Sequence, residues 1–177
     1  MQVMCVDPGL ATGLVMLGYD QETTTITSLE PFEMDVRSCW SFIYAKLPTC
    51  QACVCETFTI TPQTGKKTQQ PWSLWLIGLL QAECWRLGIP IYMQKPGEAM
   101  EFEGKPSKAR EYNMWVKGGE GHAKMAMLHA IYWLVIKSGG GLAALRNEHA
   151  EPMQLKCYTW DEADNMPRLA KHASGDD

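Results

Sequence analysis

The sequence predicts an α/β protein: one mixed sheet of five strands with helices on both faces. Three observations carry this. The chain opens with three short apolar runs separated by tight turns, which read as antiparallel strands. It then alternates helical and strand patterns. Its 177 residues bury the core of one domain, without room for a second of similar size.

The elements follow in order. Gln2–Val6, Gly13–Gly18 and Thr24–Leu29 are predicted strands. Asp-Pro-Gly at 7–9 makes the first turn, and the polar Tyr19-Asp20-Gln21-Glu22 makes the second. Asp35 precedes an amphipathic segment to Leu47, with Trp40, Ile43, Tyr44 and Leu47 on one face, and is a candidate N-cap. Pro48 stops that helix. Ala52–Cys55 shows no alternation, so it reads as a strand buried on both faces and parallel to its neighbours. Pro71–Leu87 is a helix stopped by Gly88, and Ile89–Met93 a fifth strand. Residues 106–117 are ambiguous between loop and short helix. Gly121–Lys137 is a last strong helix, ended by Ser138 and three glycines. The folded domain is expected over 1–137. Residues 138–177 are expected to be a polar, flexible tail, with at most a helical turn at Leu142–Arg146.

The formal charge of −4 argues against nucleic-acid binding through overall charge, but leaves room for a local basic strip. Seven cysteines at irregular positions, with no signal-peptide pattern, suggest reduced thiols and a cytoplasmic setting. Cys50-x-x-Cys53 lacks the second pair a zinc site needs. No apolar run approaches the roughly 20 residues of a membrane span.

Asp7 ends the first strand at a glycine turn, and Glu56 ends the fourth. An acid at the end of a buried strand is costly unless it is paired or holds a cation. Two on adjacent parallel strands can share one divalent-metal site.

The order β-β-β-α-β-α-β-α, with Val6-Asp7-Pro8-Gly9, Thr12-Gly13, Val54-Cys55-Glu56 and Gly121-His122-Ala123-Lys124-Met125-Ala126-Met127-Leu128-His129-Ala130, resembles the ribonuclease H-like fold. The chain is most similar there to RuvC-type Holliday junction resolvases, especially those of phages. The resemblance spans about 1–137. It implies a divalent-metal-dependent, structure-selective endonuclease that hydrolyses phosphodiesters in branched DNA, acting as a homodimer in the cytoplasm of a bacterial host. It also implies two Mg²⁺ or Mn²⁺ ions, with Asp7 touching both and Glu56 holding one.

The departure lies in the last helix. His122 and Met125 stand where the family pattern has two acids, or a histidine and an acid. A neutral imidazole can bind Mn²⁺ or orient the attacking water. A thioether is too soft for Mg²⁺ and carries no charge. Asp7, Glu56 and His122 are therefore the expected metal ligands, with Met125 at the position of an expected catalytic acid. Glu101, Glu103 and Glu120 are alternative sources of that acid. His129 lies about 10 Å along the helix from His122, too far to share its ion, and reads as a hydrogen-bonded core or groove histidine.

Expected DNA contacts are Lys66 and Lys67 in the polar loop after Glu56, Phe58 as a wedge or stacking group, and a basic strip. The strip comprises Lys105, Lys108, Arg110, Lys117 and Lys124. The helix at 71–87 is apolar nearly all round, so a second copy of the chain is the expected cover for its outer side, with the loop at 95–118 or the tail as the alternative. Two further readings stay open. One is a weakened or inactive relative that binds junctions without cutting, because of Met125. The other is a small actin-like nucleotide-binding fragment.

Overall fold

A computed structural model describes residues 1–23, 25–58, 60, 72–104, 107–111, 114, 116, 121–138, 156–161 and 166–169. Its elements are β1 (Gln2–Asp7), β2 (Ala11–Asp20), β3 (Thr25–Asp35), α1 (Val36–Lys46), β4 (Ala52–Glu56), α2 (Trp72–Leu87) and β5 (Ile91–Gln94). They continue with α3 (Pro96–Glu103), α4 (Lys108–Glu111), α5 (His122–Tyr132), β6 (Lys156–Asp161) and β7 (Met166–Leu169). A π-helical turn, Trp133–Lys137, extends α5.

The strands form one mixed sheet in the order β5-β4-β1-β2-β3-β6-β7. β2 runs antiparallel to both β1 and β3, while β4 lies parallel to β1, and β5 parallel to β4. β1 is buried on both faces, as its unbroken apolar run requires. Val3, Cys5, Val15, Leu17 and Val54 pack beneath α5 on one face. Met4, Val6, Leu14, Met16, Cys53 and Cys55 pack beneath α1 and α2 on the other. Asp35 is the N-cap of α1: its Oδ1 accepts from Ser38 N–H at 2.9 Å, an arrangement worth about 1 kcal/mol.

Three expectations are corrected. The sheet has seven strands rather than five, because β6 pairs parallel with β3 over Phe32–Met34 and β7 folds back on β6. Strands therefore occupy 156–161 and 166–169, where a flexible tail was expected; Leu142–Arg146 lies outside the described residues. β3 runs to Asp35 rather than ending at Leu29. Pro31 does not break it, since the ladder to β6 begins one residue later, at Phe32. Finally, α3 forms where no element was expected. Pro96 at its first position and Glu98, which accepts from Lys95 N–H at 2.8 Å, are its start signals.

Candidate active site

The site lies at the C-terminal ends of β1 and β4, beneath α5. The last paired row between these strands is Val6↔Cys55. Asp7 and Glu56 follow it as lateral neighbours on strands about 4.8 Å apart. Both side chains turn towards α5, whose His122 and His129 they touch.

Gly13 brings the helix that close. It pairs with Asp7 across β1 and β2, and a Cβ there would lie 2.0 Å from His122 O and 2.5 Å from Ala123 N. Any side chain would lift the start of α5 off the sheet. Gly121 caps α5 with φ of 102°, a left-handed conformation suited to glycine. The turn after Asp7 is closed by Thr12, whose Oγ1 donates to Gly9 O at 2.9 Å.

Each carboxylate commits one oxygen to a histidine. Asp7 Oδ2 meets His122 Nδ1 at 2.9 Å. Glu56 Oε2 meets His129 Nε2 at 2.7 Å. Among the described residues, Asp7 Oδ1 and Glu56 Oε1 make no hydrogen bond. The His122 side chain is 36% exposed, whereas that of His129 is fully enclosed at 0%. On its other edge His129 Nδ1 meets Gln94 Oε1 at 2.7 Å. Gln94 is itself buried, on the β5 residue paired with Glu56.

Cys55, one residue before Glu56, is no ligand. Burial first, then the charges of Glu56 and Asp7, push its thiol well above the ordinary range and keep it protonated. Burial likewise raises Cys39 to about 12 and Cys50 to about 11. Among the described residues, no group of three or more His, Cys, Asp and Glu is placed to hold a metal ion. The donor set fits a hard divalent ion that draws its remaining ligands from water or a substrate phosphate: two strand-end carboxylates, each with one oxygen uncommitted to the protein.

The structure joins Asp7 to His122 and sets Glu56 at the end of the neighbouring strand, bonded to His129 instead. Met125 is half-buried and packs against the apolar core beneath α5. Phe58 packs against the opposite core, with the α1 and α2 face, rather than standing out as a wedge. Lys108 turns inward: its Nζ donates to Phe102 O at the end of α3 and lies 4.4 Å from the centroid of that ring. Arg110 and Lys124 are exposed, on the rim of a cavity of about 510 Å³ between α3, α4 and α5. Glu101 and Glu103 line the same cavity, and Glu103 Oε2 accepts from Ala109 N–H at 3.0 Å. Lys66, Lys67, Lys105, Lys117 and Glu120 lie outside the described residues.

Sequence reasoning placed His129 as a buried, hydrogen-bonded histidine but missed its partner, and it missed Gln94 altogether. A signal existed for both. His129 sits two turns after His122, and Gln94 follows the strand beside Glu56 as Glu56 follows its own.

Several solved structures are similar to the chain. T. thermophilus RuvC in complex with a Holliday junction substrate is similar to the chain, with a TM-score of 0.53 and 15% identity over 79% of this chain and 98% of that one. The fold is the ribonuclease H-like fold of RuvC. T. thermophilus RuvC in a second structure gives a TM-score of 0.49 at 14% identity, covering 79% and 98% of the two chains. The fowlpox virus Holliday junction resolvase gives 0.48 at 13% identity, covering 76% and 98%. No protein-family model and no curated protein matches the chain. No described helix is long and apolar enough to cross a membrane.

Proposed function

We propose that the chain is a divalent-metal-dependent endonuclease that hydrolyses phosphodiesters in branched DNA, with the four-way junction as its substrate. The observation that carries this is the Asp7–Glu56 pair: adjacent strand-end carboxylates under α5, each with one oxygen uncommitted, in a RuvC fold. Asp7 and Glu56 would hold Mg²⁺ or Mn²⁺, with His122 at the solvent side. A bound ion supplies positive charge against the scissile phosphate and acidifies water.

The protein's own groups divide the remaining work. Asp7 fixes the His122 ring through Nδ1, which holds the imidazole beside the carboxylates, where it would orient the attacking water. Glu56, clamped through Oε2, presents Oε1 in one orientation. Arg110 and Lys124 offer cationic contacts to DNA phosphates, as would Lys66 and Lys67 in the loop after Glu56. Lys108, held by Phe102, contributes less, and Phe58 contributes packing.

A homodimer fits the outer side of α2. Leu76, Ile77, Leu80 and Cys84 are buried in the core, while Trp75, Leu79 and Trp85 are 52%, 48% and 88% exposed. An apolar stripe of this kind is suited to a second copy of the chain, which would give two sites for two strands of a junction.

The alternative is a weakened junction binder, favoured by the thioether of Met125 where an acid is expected. A labelled four-way junction separates the two readings. The nuclease predicts paired nicks in Mg²⁺ or Mn²⁺ and none in chelator. Tight binding with no cleavage in either ion would leave only the binder.

A further inference from the structure

We propose that His129 and Gln94 are positioning residues for Glu56, together fixing the carboxylate oxygen that faces the metal. This rests on the reading of Asp7 and Glu56 as metal ligands. It goes beyond that reading by naming two residues that touch neither metal nor DNA.

The argument starts from cost. Ala126, Met127, Leu128, Ala130 and Ile131 around His129 are all buried and apolar. An imidazole at 0% exposure among them is expensive unless both ring nitrogens are satisfied. A leucine would fill such a place more cheaply if packing were the only need. Both nitrogens do meet a polar partner, at 2.7 Å each, and one partner is the carboxylate that ends β4.

Geometry then assigns the roles. Glu56 has three side-chain torsions and lies at a strand end, where a lone carboxylate would sample several rotamers. One bond to a ring held on two sides removes that freedom. The ring is held by Gln94, whose strand position is locked beside Glu56: the two are paired residues of β4 and β5, and Thr57 N–H donates to Gln94 O at 2.7 Å. The amide can turn either its oxygen or its nitrogen towards Nδ1. The ring can therefore keep an N–H on Glu56 in either of its protonation forms. Gln94 Nε2 has no hydrogen-bond partner among the described residues although it is buried, so the amide is committed to the ring alone. Amide, imidazole and carboxylate thus form a chain across β5, α5 and β4 that ends at Glu56 Oε1. Partners behind a ligand in this way are typically worth about 10–100-fold in metal affinity.

The test uses the full chain with four variants: His129→Phe, His129→Gln, Gln94→Met and, as reference, Asp7→Asn. Free Mn²⁺ is followed by electron paramagnetic resonance, with and without junction DNA, beside melting curves, junction affinity in chelator and cleavage over a Mn²⁺ series. His129→Phe is expected to weaken Mn²⁺ binding about 10–100-fold while leaving junction affinity in chelator unchanged. Its cleavage should recover in part as Mn²⁺ is raised. His129→Gln should restore most of the affinity, because its amide nitrogen reaches the place of the ring Nε2. Gln94→Met should lie between, at roughly three- to tenfold. Parental Mn²⁺ affinity in a folded His129→Phe or Gln94→Met protein would overturn the proposal. So would equal losses in the Phe and Gln variants, which would assign the effect to packing, or a parent that binds no Mn²⁺ even with DNA. If His129→Phe does not fold, Gln94→Met and His129→Gln decide the matter. A parent that binds Mn²⁺ but cuts no junction would refute the nuclease reading, while the metal measurements would still judge His129 and Gln94.

Discussion

Asp7 and Glu56 are neighbours with the same kind of partner, yet their surroundings differ. Asp7 is bonded to a histidine at the mouth of the site, with more than a third of its side chain exposed. Glu56 is bonded to a histidine with none exposed, itself braced by a buried amide. One arm opens to solvent through its histidine. The other is fixed from behind by a histidine and an amide that water does not reach. The contrast teaches that a pair of carboxylates can divide reaction and support, and each arm can be broken separately.

The largest effect is expected at the open arm. Asp7→Asn should cut cleavage of a labelled junction by at least about a thousandfold, since it removes charge from the centre of the site. Binding to the junction, read by gel shift in chelator, should change little. Undiminished cutting would show that the reaction does not use this carboxylate.

Gly13→Ala comes next, because it moves the roof over both arms. Its Cβ would lie 2.0 Å from a backbone oxygen of α5, so the helix start must shift. Thermal melts should show a loss of about 1–3 kcal/mol, the usual range for overpacking. Cleavage should fall more than stability does, because His122 moves with the helix. A variant with parental melting and activity would show that α5 is free to adjust.

Much of this architecture was legible before any coordinates. The unbroken apolar run of β1, the doubly buried β4 and the Asp35 cap follow from local pattern, which the fold then respects. What stayed hidden depends on distant pairing. β6 meets β3 across more than a hundred residues of sequence and pairs with only three of its residues, so nothing local announces it. The Glu56–His129–Gln94 chain is of the same kind. Each residue alone is an ordinary strand-end acid, core histidine or strand-end amide. The sequence places Met125 where an acid is expected, but its packing against the core had to be seen.

Two smaller effects sharpen the comparison. Met125→Asp places a carboxylate one turn from His122, beside the open arm. Mn²⁺ affinity with junction DNA should rise about tenfold, matching a gain of ~1.4 kcal/mol. The metal-free protein should lose about 1–2 kcal/mol of stability as apolar contact is given up. No gain in affinity would mean that another ligand completes the site. Leu79→Glu lies far from both arms, on the exposed stripe of α2. Light scattering should show the dimer weakened, while Mn²⁺ binding per chain stays within about twofold. A parent that is monomeric at micromolar concentration would remove the proposed interface.

Whether the two arms serve one site is tested most directly by a double-mutant cycle in Mn²⁺ affinity, measured with junction DNA present. The four proteins are the parent, Asp7→Asn, Glu56→Gln and the double variant. If both carboxylates hold the same metal centre, each single change removes most of the binding and the double change costs little more, leaving a coupling energy above about 1 kcal/mol. Strictly additive losses, or parental affinity in either single variant, would contradict a shared centre at the ends of β1 and β4.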